Sequence, residues 1–201
     1  MTKKVNYIYI YLLYLLLKYF KNNKMKIFFK ILFFLVFVKT TMAQDLANTV
    51  YLELEHGKVV IEMKPEHAPK HVKRIKQLIA EKFYDGLKFH RVIDGFMAQT
   101  GDPQGNGTGG SGINIPAEFN SLPHTRGTVS MARAQDPDSA DSQFFICFKD
   151  SSFLDGQYTV WGQVVEGMEF VDKIKRGDSS SNGMVNNPDK IVSMRLVQGS
   201  E

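Results

Sequence analysis

The chain has 201 residues and a formal net charge of +4, yet residues 1–43 carry eight of its 25 Lys and Arg and none of its 21 Asp and Glu. Residues 44–201 therefore hold 17 basic against 21 acidic groups, a net of −4. With the leader set aside no Lys/Arg stripe interleaved with aromatics remains, which excludes a nucleic-acid partner read from charge, and 158 residues suffice for one domain with its own core.

The leader contains two apolar runs, Val5 to Leu17 and Ile27 to Val38, around a Lys/Asn-rich hinge from Lys18 to Lys26. The second run has the grammar of a secretory signal. Met25-Lys26 is a short positive n-region, Ile31 to Val38 an uninterrupted apolar core, and Thr41-Met42-Ala43 a small-x-small cleavage site before Gln44. Met25 is accordingly the expected start of translation, and 44–201 the expected mature domain. An uncleaved membrane anchor is the competing reading. Against it, Ile27 to Val38 is short for a span of ~20 residues and is broken by Lys30, although the two runs together could form a hairpin.

From Thr49 the chain alternates, with Val50, Leu52 and Leu54 on one face and Tyr51, Glu53 and Glu55 on the other, as a half-buried strand does. His56-Gly57 turns it and Lys58 to Met63 returns, giving an opening hairpin. Beyond Pro65 and Pro69, the spacing of Val72, Ile75, Leu78, Ile79 and Phe83 predicts a helix over His71 to Phe83, expected to plug one mouth of a barrel. Leu87 to Ile93 and Phe96 to Thr100 read as the next two strands. They are followed by strands at Thr128 to Ala132, Gln143 to Phe148 and Tyr158 to Val165, a short helix at Met168 to Lys175 and a last strand at Ile191 to Val197. Asp178 to Asp189, rich in Ser, Asn and Gly, reads as a surface loop. Cys147 is the sole cysteine and sits among Phe144, Phe145, Ile146 and Phe148, so an inert buried thiol is expected and no internal disulfide is possible.

The chemistry concentrates between Phe89 and Gly110. Arg91 lies on an apolar run with Phe89, Val92 and Ile93, and past the Asp94-Gly95 turn come Phe96, Met97 and Gln99. A permanent cation beside an aromatic, a thioether and an amide suits a mostly apolar ligand with a few carbonyls, a peptide rather than a phosphate. The tail Gly107-Thr108-Gly109-Gly110 lacks the Lys-Ser/Thr of a nucleotide cradle; its glycines instead allow a tight loop and close approach of a peptide backbone. Asp136, Asp138 and Asp141 hint at a calcium loop, but Gly is missing at the sixth place and the twelfth is Cys147, so no metal is expected there.

F-H-R-V-I-D-G-F-M-A-Q followed by G-D-P, G-N-G-T-G-G, S-M-A-R-A, S-Q-F-F-I-C and F-L-D-G, in that order over about Thr49 to Val197, resembles the cyclophilins. The resemblance implies a peptidyl-prolyl cis–trans isomerase of mainly β class, a closed eight-stranded antiparallel β-barrel capped by two α-helices, acting without cofactor or metal and as a monomer. It places Arg91 as donor to the prolyl nitrogen, Gln99 as the residue that orients Arg91 or binds a substrate carbonyl, and Phe96, Met97, Phe145 and Leu154 as the proline pocket. Ala132 would lie along the peptide, with Arg133, Phe153, Tyr158, Gly107 and Thr108 completing the substrate contacts. Proline-containing peptides and unfolded chains are the implied partners.

Three positions depart from many eukaryotic members, with Arg133 in place of Asn, Phe153 in place of Trp and Tyr158 in place of His; all three resemble bacterial members. In the family the Trp is associated with cyclosporin, through an indole N–H that bonds the drug; Phe153 keeps the packing and loses the donor. A holding chaperone that binds proline segments without turning them over is the alternative function. The signal grammar, together with a C-terminus Val-Gln-Gly-Ser-Glu that carries no endoplasmic-reticulum retention motif, points to a bacterial periplasm, or to membrane anchoring on its periplasmic side. The exported protein is expected to begin at Gln44, or at the pyroglutamate it forms. Intact-mass spectrometry of the exported material checks this, and a membrane-bound chain retaining Ile27 to Val38 would establish the anchor instead.

Overall fold

A computed structural model of the chain describes residues 47–197; the expected leader and its cleavage site lie outside them. Among the described residues there are eight strands, β1 (Thr49–Leu54), β2 (Gly57–Met63), β3 (Arg91–Ile93), β4 (Met97–Thr100), β5 (Thr128–Met131), β6 (Phe144–Cys147), β7 (Val160–Glu166) and β8 (Ile191–Leu196), with helices α1 (Pro69–Ala80) and α2 (Met168–Val171). All neighbours pair antiparallel in the order β3-β4-β6-β5-β7-β2-β1-β8.

The strand count agrees with expectation, but the sheet is a curled half-barrel, open between β3 and β8, rather than a closed barrel. The predicted strand from Leu87 to Ile93 is regular only over Arg91–Ile93. Its first half meets β8 through the single bridge Lys88–Lys190 and a few backbone bonds, among them Ile191 N–H to Leu87 O at 2.9 Å, so no ladder forms. The outer edge of β3 is instead taken by the loop after α2. Val92 donates to Gly183 O at 2.7 Å, Gly177 to Val92 O at 2.8 Å and Val185 to His90 O at 3.0 Å. Gly183 is where that loop crosses the strand: its φ is +79°, and a Cβ there would lie 3.1 Å from Val92 O and collide with the Ile93 side chain.

Both helices end earlier than their apolar spacing predicts. In α1, Phe83 N–H bonds Leu78 O at 2.9 Å and Lys82 N–H bonds Ile79 O at 3.0 Å, with Lys82 left-handed at φ 57°. This is a Schellman stop built on a lysine instead of the glycine that sequence would flag. In α2 the three-residue bonds Lys173 to Phe170 O and Ile174 to Val171 O tighten the chain out of the α-helix after one turn.

The sheet buries residues on both faces. The main core joins Val50, Leu52 and Ile61 to the inner face of α1, Val72, Ile75, Leu78 and Ile79, around Tyr84, Phe144 and Trp161. These rings meet edge to face, Tyr84–Phe144 at 5.5 Å and Phe144–Trp161 at 5.5 Å, the geometry their quadrupoles favour. A second, smaller cluster of Met97, Phe145, Cys147 and Leu154 lies on the other face. Strand alternation does the sorting, since Phe144 and Ile146 of β6 enter the first cluster and Phe145 and Cys147 the second.

The N-terminus of α1 has Pro69 in its first turn and no side-chain cap of its own. Glu118, 48 residues away, supplies one: its carboxylate accepts from Lys70 N and His71 N, each at 3.0 Å, and from His71 Nδ1 at 2.7 Å. Burial pushes this carboxyl up, but the His71 bonds and the Lys70 N–H outweigh it and hold it below its ordinary value. Its stabilisation is thus complete above the unfolded carboxylate range and lost as pH falls through the lowered folded value. Glu118→Ala is expected to remove about 2–3 kcal/mol at neutral pH, a helix cap plus a charged hydrogen bond to a buried ring. Urea titration should show a lower midpoint at unchanged slope.

Candidate active site

The register of the sheet lines up the polar centre. Arg91 on β3 pairs with Gln99 on β4, Gln99 with Phe145 on β6, and Phe145 with Ser130 on β5. Direct partners in an antiparallel sheet share a face, so these four side chains form one row across four strands. The row beside it, Ile93, Met97 and Cys147, floors the site with apolar groups. Burial drives the Cys147 thiol up to about 12, so it stays protonated beneath that floor.

Arg91 is held from two sides. Its Nη1 donates to Gln99 Oε1 at 3.1 Å, its Nε to Asn182 O at 3.0 Å and its Nη2 to Asn182 Oδ1 at 3.0 Å. Burial lowers its pKa from the ordinary value, with Tyr158 acting in the opposite sense, yet a guanidinium remains a cation throughout. Gln99 passes the polarity on: its Nε2 donates to Gln143 Oε1 at 2.9 Å, and Gln143 Nε2 donates to Gly109 O at 2.8 Å and Gly107 O at 3.1 Å. Every bond in this chain points away from Arg91, so each amide is polarised by the one before it.

Beside Arg91 is a hollow lined by ten residues that the sequence nominates, namely Phe96, Met97, Gln99, Ala132, Arg133, Phe145, Phe153, Leu154 and Tyr158 together with Arg91 itself. The Phe96 and Phe153 rings meet at 5.3 Å on one wall, and Phe145 and Tyr158 at 6.0 Å, edge to face, on the other. Phe153 is 65% exposed and forms the rim. Arg133 is fixed by four bonds to the carbonyls of Ala134, Gln135 and Gln157 and lies over the Tyr158 ring at 4.7 Å, bracing the wall.

Gly107 and Thr108 are not in this hollow. They line a neighbouring polar one with Gly109, Gly110, Asp141 and Gln143, joined to the first through Gln99, Ala132 and Arg133. The glycine loop is wrapped on Asp102, whose carboxylate accepts from Gln104 N at 2.7 Å, Gly107 N at 2.6 Å and Asn106 N at 3.0 Å. Burial pushes that carboxyl up and the backbone N–H groups overcome it, leaving it lowered. A Cβ at Gly109 would collide with the Asp102 carboxylate and one at Gly110 with that of Asp141, so a side chain at either place would push aside a carboxylate that holds the loop. Among the described residues no group of His, Cys, Asp or Glu could hold a metal. Asp136 and Asp138 instead accept the N–H groups of Asp138 and Ala117, and Asp141 that of Gly112.

Two participants escape a reading of the sequence. Asn182 belongs to the stretch read as a plain loop, and its contact with Arg91 spans 91 residues. Gln143 opens an apolar strand and reads as its polar first residue, since its partners Gln99, Gly107 and Gly109 lie 44, 36 and 34 residues away in sequence.

Residues 49–196 match the family model described as cyclophilin type peptidyl-prolyl cis-trans isomerase. A probable peptidyl-prolyl cis-trans isomerase of Brucella suis is 56% identical over 167 residues, covering 77% of this chain and 85% of the relative. Peptidyl-prolyl cis-trans isomerase B of Bacillus subtilis is 47% identical, covering 65% and 93%. Among solved structures, a Cryptosporidium parvum cyclophilin type isomerase, crystallised in the presence of the dipeptide Ala-Pro, superposes with a TM-score of 0.68 at 30% identity, over 76% of this chain and 99% of that one. A cyclophilin from Hirschia baltica gives 0.69 at 30% identity, over 78% and 76%. The curled eight-stranded sheet, the matched span and these relatives agree: the chain belongs to the cyclophilin-type peptidyl-prolyl cis–trans isomerases.

Proposed function

We propose that this isomerase accelerates rotation about X-Pro bonds in unfolded segments of exported proteins, with the prolyl ring in the hollow and Arg91 beside the amide nitrogen. One observation carries the reading. A guanidinium has five N–H groups, and three of those on Arg91 are spent on Gln99 and Asn182, which fixes its plane and leaves two at the edge of an apolar hollow.

Rotation about the bond is opposed by amide resonance, with a barrier of ~18–20 kcal/mol, and no bond is made or broken. The reaction therefore calls for no nucleophile and no proton transfer. In the planar amide the nitrogen lone pair is delocalised; on twisting it localises and can accept a hydrogen bond. A donor held at that nitrogen binds the transition state more tightly than either ground state, which is the condition for acceleration. Phe96, Met97, Phe145 and Leu154 exclude water around the ring, so the donor competes with less solvent. The Gln99 bonds to Arg91 and Gln143 support an orienting role for Gln99. A holding module would need the hollow but no donor at the nitrogen, and Arg91 is the residue that separates the two functions.

The proposal extends to ligand and place. The relative crystallised with Ala-Pro supports proline-containing peptides as ligands. The signal grammar of residues 25–43 supports export with cleavage after Ala43 to a bacterial periplasm, with anchoring on the periplasmic side as the competing arrangement.

Arg91→Ala should fold as the wild type does and lose about 10²–10³ in turnover of a short X-Pro peptide, the ~2.7–4 kcal/mol of one preorganised donor. A protease-coupled isomerisation assay measures it; near wild-type turnover in a folded variant would overturn the role given to Arg91, whereas absence of turnover in the wild type would leave the holding function. A second expectation follows from the exposed rim at Phe153. Phe153→Trp restores an indole N–H, and cyclosporin inhibition should tighten by about five- to 150-fold, the ~1–3 kcal/mol of a carbonyl otherwise left unpaired. Inhibition titrations of both proteins side by side decide it; equal constants would remove position 153 from the drug-facing wall.

A further inference from the structure

Behind the aromatic wall lies a histidine that neither sequence motif nor mechanism uses. The His124 side chain is fully buried, with both ring nitrogens engaged. Nδ1 is 2.9 Å from Asp155 Oδ1, and since a carboxylate only accepts, Nδ1 carries the proton. The His124 backbone N–H donates to the same oxygen at 2.7 Å. On the far side Nε2 is 3.0 Å from Ser130 Oγ, which also lies 3.0 Å from Thr159 O. Ser130 is the last member of the cross-strand row that begins at Arg91 and passes through Gln99 and Phe145.

The ring also supports the wall physically. It stacks on Phe145 at 6.2 Å with 17° between planes and meets Tyr158 edge-on at 6.5 Å. Asp155 directly follows the 3-10 turn Ser152–Leu154, which carries Phe153 and Leu154 into the hollow. One imidazole thus ties the end of that turn to β5 while backing two aromatic rings. Asp155 is anchored by these contacts alone among the described bonds of its side chain, and they hold its carboxyl below the ordinary range, the backbone N–H contributing most.

We propose that His124 is a positioning residue for the isomerisation, holding Phe145, Tyr158 and the Leu154 turn in the arrangement that grips the proline ring. The inference rests on the assignment of the hollow to the proline. It touches no reacting atom, and Arg91 keeps its own supports without it. Grip on the ring is common to the planar and twisted amides, so loosening it weakens ground state and transition state alike. Such a change raises KM and spares kcat, whereas loss of Arg91 lowers kcat.

The test compares His124→Phe, which keeps a stacking ring and removes both nitrogens, with His124→Asn, whose amide restores a donor near the Nδ1 position. His124→Phe, which loses both ring bonds, should raise KM for an X-Pro peptide by about tenfold, with kcat within about twofold of wild type; His124→Asn, which regains the tie to Asp155 but not the stacking ring, should recover part of the loss. Asp155→Ala changes a partly exposed side chain, survives folding if the buried substitutions do not, and should raise KM in the same way. A fall in kcat at unchanged KM, or unchanged kinetics in both His124→Phe and Asp155→Ala, overturns the proposal. Phe145→Ala is the control. If it leaves KM unchanged, the hollow is not the proline site; if it raises KM while the His124 and Asp155 variants do not, the hollow stands and only the role of His124 fails.

Discussion

Cross-strand register is the constraint on which the site depends. Arg91, Gln99, Phe145 and Ser130 belong to four strands whose order in the sheet, β3-β4-β6-β5, is not their order in the chain, and only their pairing places guanidinium, amide and aromatic wall in one line. A slip of one residue between β3 and β4 would turn Arg91 to the opposite face from Gln99. The register is held by burial on both sides of the sheet. Slipping β6 would drive Phe145 and Cys147 into the main core and Phe144 and Ile146 out of it. Two-sided burial therefore makes the position of the Arg91 backbone as definite as the core itself.

Side-chain bonds then convert that position into an orientation. Gln99 approaches from the sheet and Asn182 from the loop, and neither alone would fix a planar fork that can rotate about its last torsions. The relay through Gln99 and Gln143 runs on to the glycine loop, so the donor and the neighbouring polar hollow share one hydrogen-bonded scaffold. Asp102 performs for that loop what Glu118 performs for α1: a partly desolvated carboxylate gathers backbone N–H groups that the sheet and helix cannot satisfy.

Much of this is legible in the sequence, and the exceptions have physical causes. The opening hairpin could be read because Val50, Leu52 and Leu54 alternate with exposed residues, and α1 because its apolar face recurs at helical spacing. β6 shows no alternation, being buried on both faces, and only its run of apolar residues betrays it. The end of α1 was not legible because a lysine occupies the left-handed position at Lys82. Closure of the sheet has no local signature, since it depends on which element reaches the outer edge of β3 first, β8 or the loop. The contact between Asn182 and Arg91 was hidden for the same reason. Nine of the ten residues of the hollow, by contrast, fall in the motifs that carry the family resemblance, and Tyr158 lies two residues past the last of them.

The loop along β3 also bears on what kind of chain can safely be handled here. The extended segments proposed as substrates carry unsatisfied backbone groups of their own, and β3 is a three-residue strand at the margin of the hollow. A bare edge in that place would offer the passing chain a ladder to join, and binding by strand addition would hold it in register with the sheet. Residues 177–185 occupy those backbone groups first, through Val92 and His90. What is left for a visitor is a side-chain surface, whose contacts form and dissolve without the templating that a backbone ladder would impose.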